Sequence, residues 1–306
     1  MNYILNIYSF GKFFFLLYLS LVCIYTIFHF NYSNTKVCIC TIGKNENKYI
    51  REFVEYYKKF GIDKIFLYDN NDNDGENFDI VLDNYIKSGF VEIINYRGKE
   101  KIQYSAFNHC YRGNNHSYDW LIFYDLDEFI HLSHYSNVKN FLDKPTLKNC
   151  NIIYLYNVLH TDNNQIYYYN KSLFERFPNF TTEYPNILGI TKIIMRGNLS
   201  EITFNNPHVI PNKYQCNSIG KIINLTKKEI YNKRYYYNHF YFKSSEEYFN
   251  KLKRGGITSG KKVFVPNLFE FYFSVNKLTK EKIDYFEKMS VIKYINSKYL
   301  KNSVLI

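Results

Sequence analysis

The sequence predicts an α/β protein with a mostly parallel central sheet that is flanked by helices. Between Lys36 and Phe129, short apolar runs alternate with segments in which apolar residues recur at helical spacing. The last of these runs ends in a group of carboxylates between Asp125 and Glu128. Strands that alternate with helices along a chain form parallel sheets with helices on both faces.

The predicted elements begin with a buried strand over Val37–Ile42. Apolar residues then recur at helical spacing from Ile50 to Tyr57, and Gly61 supplies a stop for this helix. The elements that follow are a strand over 62–68, a turn-rich loop over 69–75, a helix over 78–87, a strand over 90–96, a helix over 102–112 and a strand over 119–124.

Polar side chains follow three of the predicted strands. They form the clusters Lys44 to Glu46, Asp69 to Asn71, and Asp125 to Glu128. Open parallel sheets bind ligands beyond the carboxyl ends of their strands, so we expect one shared site. Carboxylate oxygens are hard ligands that select Mg²⁺ or Mn²⁺. An acidic surface turn is the alternative for an Asp-x-Asp tripeptide considered alone.

A series of motifs also runs in a fixed order along most of the chain after about residue 36. It occupies 37–46, 53–61, 68–70, 106–110 and 120–130, and continues through 173–177, 192–196, 208, 239–243 and 251–255. This series resembles the GT-A type glycosyltransferases of family 92 and the glycosyltransferase-2-like group. The resemblance implies a GT-A, Rossmann-like fold, a nucleotide-sugar donor, and a divalent metal, Mn²⁺ or Mg²⁺.

The resemblance implies a metal site built on the acidic motif. Asp127 is expected to bind the metal directly, and Asp125 to contact the metal or the donor ribose. His239 is the candidate third ligand, because a neutral imidazole from a late loop completes the coordination sphere in many such enzymes. A packed core histidine is the alternative for His239. His208 is a weaker candidate.

The same resemblance implies a donor site at the ends of the first two strands. Asp69 is expected to bind the nucleoside, with Asn70 beside it, and Asn45 and Glu46 are expected to contact the donor. An Asx turn is the alternative role for Asp69. Capping of the following helix is the alternative for Asn45 and Glu46.

Cations that follow His239 are expected to contact the donor diphosphate. They are Lys243, Lys251 and Arg254. A cationic group at this place would stabilise the charge that develops on the leaving group. A solvated helix face is the alternative for the run 251–254.

The acceptor side departs from the family pattern. Family 92 relatives place a Trp and a Phe-Gly-Ser-like stretch after the metal motif, whereas this chain has Tyr154 to Asp162. An inverting transfer needs a base for the acceptor hydroxyl, and Asp162, Glu175 and Glu183 are available. Asp162 is preferred because it follows a strand-like run, and Glu183 is kept as a second candidate. A retaining transfer would need no such base.

Composition favours an enzyme over a nucleic-acid-binding protein. The 306 residues suffice for a large core, and the net charge is +11. The excess of Lys, Asn, Ile, Tyr and Phe is typical of coding from an AT-rich genome. Neither a lysine block nor a nucleic-acid module accompanies the charge, so we expect no nucleic-acid partner. The runs Tyr167–Tyr169 and Tyr235–Tyr237 could stack on sugars, but packing within strands is favoured.

A membrane anchor is predicted near the amino terminus. The run 13–30 contains no formally charged side chain and is near the length of a spanning helix. A cleaved signal peptide is the alternative, but the run is long for one and no Ala-x-Ala-like site follows. The predicted organisation is a tail over 1–12, the anchor, a linker over 31–35, and one catalytic domain over 36–306. Within that domain, 36–132 binds the donor and 133–306 forms the acceptor side.

The expected location of the catalytic domain is a Golgi- or ER-type lumen, which the sequons suit and the cysteines do not contradict. Cys38 and Cys40 are expected to be reduced thiols that pack in a buried strand. Cys110, Cys150 and Cys216 remain possible disulfide partners, whose pairing the sequence does not define. Asn-x-Ser/Thr sequons occur at Asn115, Asn170, Asn179, Asn198 and Asn224.

The sequence thus predicts a membrane-anchored, metal-dependent glycosyltransferase. We expect it to move a hexose from a nucleotide diphosphate sugar, with UDP as the preferred nucleotide, to a hydroxyl of a glycan or glycoconjugate. Two alternatives stay open. One is a metal-dependent phosphoryl-transfer enzyme or nuclease. The other is a catalytically silent glycan-binding protein of the same fold.

Overall fold

The computed structural model describes residues 18, 20, 33–183, 191–206, 208–210, 213–224, 227–255 and 266–289. The predicted anchor, 13–30, lies outside these residues apart from Tyr18 and Ser20. None of the helices within the described ranges combines the length and hydrophobicity that crossing a bilayer requires.

One sheet contains all ten strands assigned in the described residues. The strands are β1 (Val37–Gly43), β2 (Lys64–Asp69), β3 (Val91–Asn95), β4 (Trp120–Phe123), β5 (Glu128–Leu132), β6 (Ile152–His160), β7 (Phe180–Thr181), β8 (Thr191–Arg196), β9 (Gln215–Asn217) and β10 (Tyr235–His239). Their order along the main path is β3-β2-β1-β4-β8-β6-β10-β5, and β7 and β9 also pair with β6.

Helices lie between these strands and after them. They are α1 (Ile50–Lys59), α2 (Phe78–Lys87), α3 (Gln103–Asn114), α4 (Val138–Leu142), a 3₁₀ helix (Pro145–Leu147), α5 (Leu173–Arg176), α6 (Lys227–Ile230), α7 (Ser245–Arg254), α8 (Pro266–Val275) and α9 (Lys280–Lys288). The α/β architecture is therefore confirmed.

The prediction of a mostly parallel sheet holds for the first part of the chain only. Strands β3, β2, β1 and β4 are parallel neighbours, whereas β8 is antiparallel to both β4 and β6, and β5 is antiparallel to β10. A parallel connection needs a crossover of a dozen or more residues. Such crossovers connect the first four strands, whereas the next neighbour of β4 in the sheet, β8, is antiparallel to it, so the sheet becomes mixed beyond β4.

Helix α1 shows how the apolar pattern produces the core. Its buried residues are Ile50, Phe53, Val54 and Tyr57, the positions that recur at helical spacing in the sequence. They pack in one cluster with α2 and one face of the sheet. Burying each of these side chains stabilises the fold by about 1.5–3 kcal/mol. Helix α3 packs on the opposite face, and α7 to α9 form a third cluster.

Two disulfides connect the elements. Cys40 of β1 is bonded to Cys110 of α3, and Cys150 is bonded to Cys216 of β9. The expectation of a reduced Cys40 was therefore wrong. Cys40 and Cys110 face each other in the cluster between β1 and α3, with their Cα atoms 6.1 Å apart, which a disulfide spans. Among the cysteines of the described ranges, Cys38 is the free one.

Candidate active site

The two polar clusters that follow β1 and β2 are in contact, as predicted. Gly43 and Asp69 are register partners at the ends of these parallel strands, and Asn70 N donates to Gly43 O at 2.9 Å. Asn45 N donates to Asn71 Oδ1 at 2.8 Å, with Asn45 in the left-handed backbone region. The register of the strands therefore brings both clusters to one edge of the sheet.

Asp69 and Asn70 make contacts within their own loop. Asp69 Oδ1 accepts from the Asn71 backbone N–H at 2.9 Å, which is the Asx turn that was considered as an alternative. Asp69 Oδ2 pairs with Arg97 at 2.7 Å. Asn70 Nδ2 donates to the backbone oxygens of Tyr96 and Lys99 at 3.0 and 2.8 Å. Both side chains thus shape the loop from inside.

Arg97, which the sequence did not single out, organises this loop. Besides Asp69, its guanidinium donates to the carbonyl oxygens of Asp72 at 2.7 Å and Glu76 at 2.8 Å. Longer bonds reach the carbonyls of Asn73 and Gly75. A planar guanidinium presents five N–H donors in a fixed arrangement, so one arginine can donate to several backbone carbonyl groups of the same loop.

The loop forms one wall of a cleft of about 690 Å³. The opposite wall is the segment from Tyr241 to Arg254, which includes α7. Six of the described residues that line this cleft are cationic, Lys44, Lys48, Lys243, Lys251, Lys253 and Arg254, and five are acidic, Glu46, Asp72, Asp74, Glu76 and Glu247. A cleft of this size with convergent cations suits a small phosphorylated ligand.

Glu46 bridges the two walls of the cleft. Its carboxylate accepts from Lys243 Nζ at 2.7 Å and from Arg254 at 3.1 Å. The Lys243 ammonium also lies 4.1 Å from the centre of the Tyr49 ring. The backbone of Lys243 is in the left-handed region, with a φ of 54°. The predicted donor residues Glu46, Lys243 and Arg254 therefore meet in one ion-paired group.

Lys251 connects the cleft to the acidic motif. Its ammonium donates to Asp127 Oδ2 at 3.0 Å and to Tyr241 O at 3.2 Å. The Tyr241 ring in turn packs edge-on against His239, with centroids 5.4 Å apart. At this end of the cleft, the lining residues Lys251 and Tyr241 thus contact Asp127 and His239.

Three side chains at this end could hold a metal ion. One ligand atom from each of Asp127, Glu128 and His239 lies within 4.8 Å of the others. Glu128 begins β5 and His239 ends β10, and the two are register partners. His239 Nε2 is 3.6 Å from Asp127 Oδ1 and 3.7 Å from Glu128 Oε1. Glu128 Oε1 is buried and has no hydrogen-bond partner among the described residues.

Burial controls the protonation of this group. Burial raises the pKa of Glu128 well above its ordinary value, and Lys192 opposes this shift. Burial also acts to raise the pKa of Asp127, but the Lys251 ammonium and other nearby cations outweigh it, so this pKa lies well below its ordinary value. Burial lowers the pKa of His239 to about 3. The imidazole is therefore neutral near pH 7, the form that binds metals.

Asn157 contacts the other nitrogen of the His239 ring. The Asn157 amide lies 3.3 Å from His239 Nδ1. The two ends of an amide have nearly the same shape, so the rotated amide oxygen would accept a hydrogen bond from Nδ1–H. That tautomer directs the Nε2 lone pair at Asp127 and Glu128. Such outer contacts orient metal-binding histidines.

Asp125, predicted to contact the metal or the donor ribose, lies beside the three-residue group and pairs with other side chains. Lys192 Nζ contacts Asp125 Oδ2 at 2.5 Å, and Gln103 Nε2 donates to Oδ1 at 3.1 Å. Glu128 occupies the place expected for Asp125. The reason is that Asp125 precedes β5 and turns toward β8, while Glu128 starts β5 and faces β10.

The remaining candidate residues make local contacts. His208 Nδ1 bonds to Thr191 O at 2.7 Å, and burial together with Lys192 lowers the pKa of His208 to about 4. Asp162 is buried and pairs with Lys282 at 2.6 Å, so its carboxylate is engaged.

The two glutamates considered as bases occupy the surface. Glu175 is exposed and forms a capping box with Ser172 at α5. Glu183 is exposed just after β7, and its N–H donates to Thr181 Oγ1 at 3.0 Å. The tyrosine runs divide: Tyr235–Tyr237 form β10, as expected, whereas Tyr167–Tyr169 lie in the loop between β6 and β7.

Sequence reasoning missed three residues of the site. Glu128 belonged to the predicted carboxylate cluster but was not assigned as a ligand, and Lys192 stood within a quoted motif without being assigned a role. Arg97 stood outside every motif. The one usable indication was Lys192, a charged residue inside an apolar strand, since buried lysines are rare unless they are paired.

A family model described as Glycosyltransferase family 92 matches residues 33–261. The chain belongs to glycosyltransferase family 92. This family 92 protein is 33% identical over 104 residues to a family 92 protein of Oryza sativa subsp. japonica, which covers 34% of this chain and 17% of the rice protein. It is also 33% identical over 97 residues to a family 92 protein of Ricinus communis, and this match covers 32% of this chain and 17% of the Ricinus protein. The matched stretch spans less than a fifth of each relative.

Solved structures give a weaker likeness to the family 92 protein. The Staphylococcus aureus TarS fragment 1–349 is 14% identical, covers 88% of this chain and 74% of its own, and has a TM-score of 0.37. The mannosyltransferase PcManGT from Pyrobaculum calidifontis, solved with GDP-Man and Mn²⁺, is 11% identical and has a TM-score of 0.31. The match covers 52% of this chain and 50% of the mannosyltransferase.

Proposed function

We propose that this protein is a metal-dependent glycosyltransferase that moves a hexose from a nucleotide diphosphate sugar to a hydroxyl of a glycan or glycoconjugate. UDP is our choice of nucleotide. The observation that carries the proposal is a cleft lined by six cations, one of which, Lys251, contacts Asp127 of the group Asp127, Glu128 and His239. Membership of family 92 supports the same reaction class.

The cleft residues divide the work of holding such a donor. The loop held by Arg97 would form the nucleoside wall, with Asp69 and Asn70 fixing its shape. Lys243 and Arg254, held by Glu46, would bind the diphosphate from the other wall. Fixed cations that face the leaving group stabilise developing charge without reorganising at the moment of reaction.

The three grouped side chains fit Mn²⁺ or Mg²⁺. Two carboxylates and one neutral imidazole are ligands that Mn²⁺ accepts, and the unpartnered, buried Glu128 Oε1 would gain a partner. When bound, the metal would neutralise negative charge on the diphosphate. Lys251, which contacts Asp127, would remain close enough to share that role.

We keep Glu183 as the proposed base of an inverting transfer. It follows β7, whose partner strand β6 lies beside the end of β10 and His239. Asp162 is withdrawn from this role because Lys282 and Tyr272 engage its carboxylate in a buried pair. A retaining transfer would leave Glu183 dispensable, and Glu183→Gln tests this directly.

Donor turnover tests the proposed function. The purified full chain in detergent is incubated with UDP-hexoses and GDP-mannose with and without Mn²⁺, and release of the nucleoside diphosphate is measured. Asp127→Asn should abolish the Mn²⁺-dependent release. Asp83→Asn, the same change on the exposed face of α2, is the matched control and should leave it intact.

The outcome separates the proposal from its alternatives. Full activity of the Asp127→Asn protein would refute the proposed metal site. Phosphate or nucleotide release from a nucleic acid, without any need for a sugar nucleotide, would favour the phosphoryl-transfer alternative. Sugar-nucleotide or glycan binding without any turnover would favour the catalytically silent protein.

We propose further that the enzyme is anchored in a membrane with its catalytic domain in a Golgi- or ER-type lumen. The apolar run 13–30 and the two disulfides support this location, because disulfides persist in oxidising compartments. In intact microsomes, the domain should be protected from added protease until detergent opens the vesicles. Digestion before detergent would refute the lumenal orientation.

A further inference from the structure

Lys192 places a buried ammonium beside the proposed metal site. It is the second residue of β8, and only 2% of its side chain is exposed. Its Nζ lies 2.5 Å from Asp125 Oδ2 and 3.4 Å from Glu128 Oε2. The residues that follow it in β8, Ile193 to Met195, are apolar and buried.

Stability alone does not account for an ammonium at this position. Removing charges from water is costly, and well-packed apolar residues of similar volume often serve a core better than a buried ion pair. The three residues after Lys192 in β8 follow this rule, since all are buried and apolar. A buried lysine on such a strand therefore indicates a role for its charge.

Lys192 contacts two carboxylates, Asp125 and Glu128, whose remaining oxygens differ in whether another group engages them. Both oxygens of Asp125 are engaged, one by Lys192 and the other by Gln103. In Glu128, Oε2 faces Lys192 and accepts from the Asp125 backbone N–H at 2.9 Å. Glu128 Oε1 is left facing His239 at 3.7 Å.

We propose that Lys192 is a positioning residue that selects which carboxylates bind the metal. It holds Asp125 out of the coordination group, and it fixes Glu128 so that Oε1 points into the group. This inference rests on the proposed metal dependence of the enzyme. It assigns Asp125, the first acidic residue of the Asp-x-Asp motif, to Lys192 and not to the metal.

The inference predicts an asymmetry between the two aspartates. Asp125→Asn in the native protein should change the Mn²⁺ dissociation constant by less than about threefold, whereas Asp127→Asn should raise it at least about tenfold. Lys192→Met releases Asp125, which can then turn toward the ion. In that background, Asp125→Asn should raise the Mn²⁺ dissociation constant at least about tenfold.

Direct Mn²⁺ binding measures these effects without any turnover. The full chain is titrated with Mn²⁺ in the absence of donor, and free Mn²⁺ is followed by electron paramagnetic resonance. Lys192→Arg keeps the charge and should preserve the native ligand choice. A merely structural role for Lys192 would lower the melting temperature and leave the coupling between Lys192 and Asp125 at zero.

The possible outcomes are distinct. Equal weakening of Mn²⁺ binding by Asp125→Asn and Asp127→Asn in the native protein would overturn the inference while supporting the metal site. Absence of Mn²⁺ binding in the native protein would overturn the metal site itself. If Lys192→Met does not fold, the comparison of the two aspartate variants in the native background still decides.

Discussion

Replacing Glu46 by Gln should weaken both the fold and the donor site, because Glu46 accepts hydrogen bonds from two cations of the opposite wall of the cleft. Gln keeps the size of the side chain and removes its charge. Among their described contacts, Lys243 and Arg254 would each lose a charged partner, at 2.7 and 3.1 Å respectively. The side chains involved are between 7% and 15% exposed, so water compensates little.

The contacts define the size of the effect. A hydrogen bond to a charged group contributes about 1.5–3 kcal/mol, and removing one partner of a buried ion pair costs about 3–5 kcal/mol. Gln still offers one oxygen to one cation, so we expect the free energy of unfolding to fall by about 2–3 kcal/mol. For a domain of this size the melting temperature should fall by roughly 5 °C.

Urea unfolding and a donor titration measure the two consequences. The urea midpoint should fall at unchanged slope, and the donor dissociation constant should rise about tenfold, equivalent to about 1.4 kcal/mol. Glu92→Gln is the matched control, since Glu92 pairs with Lys64 at 2.6 Å on the surface and should cost at most about 1 kcal/mol. Equal midpoints for the Glu46 variant and the native protein would refute the reasoning.

Three further predictions concern His239, the first disulfide and His208. His239→Ala should weaken Mn²⁺ activation and donor turnover far more than it lowers the melting temperature; a lower melting temperature with an unchanged metal titration would instead make His239 a core residue. Replacing Cys40 and Cys110 by Ala opens a 70-residue separation and should cost about 4 kcal/mol of unfolding free energy, measured in urea against native protein. Because the pKa of His208 is lowered to about 4, the unfolded chain binds the proton first, so stability should fall as the pH drops from about 6.5 to 4. His208→Gln should flatten this decline in urea midpoints at pH 7 and 4.5, and an identical decline in the variant would contradict the assignment.

The local pattern of apolar residues and caps was sufficient to predict helices and strands that pack one face against the core. Helix α2 has the predicted bounds, Phe78–Lys87, because Asn77 caps its first turn by accepting from Asp79 N and Gly89 follows its end in the left-handed region. The meeting of the clusters after β1 and β2 was also predictable, since parallel strands bring their carboxyl ends to one edge.

Contacts between residues far apart in the chain could not be predicted from the sequence. Lys192 and Asp125 are 67 positions apart, and their pairing depends on β8 running antiparallel to β4, which no local pattern specifies. The same holds for Cys40 and Cys110, since only the docking of α3 on β1 decides which sulfurs meet. Glu128 replaced Asp125 in the candidate metal group for a similar reason, because the direction of each carboxylate follows from the strand beside it.

The register of β5 and β10 places two candidate metal ligands at the edge of the sheet. Glu128 and His239 lie directly opposite each other, and β5 is the terminal strand of the main path. An ion held by both would act as a cross-link between the last two strands, so its binding energy would also protect the margin against local opening. By linkage, an ion at about 100 times its dissociation constant would add about 2.7 kcal/mol to that protection. Amide exchange along β5 would then report metal occupancy in a protein that has no substrate bound.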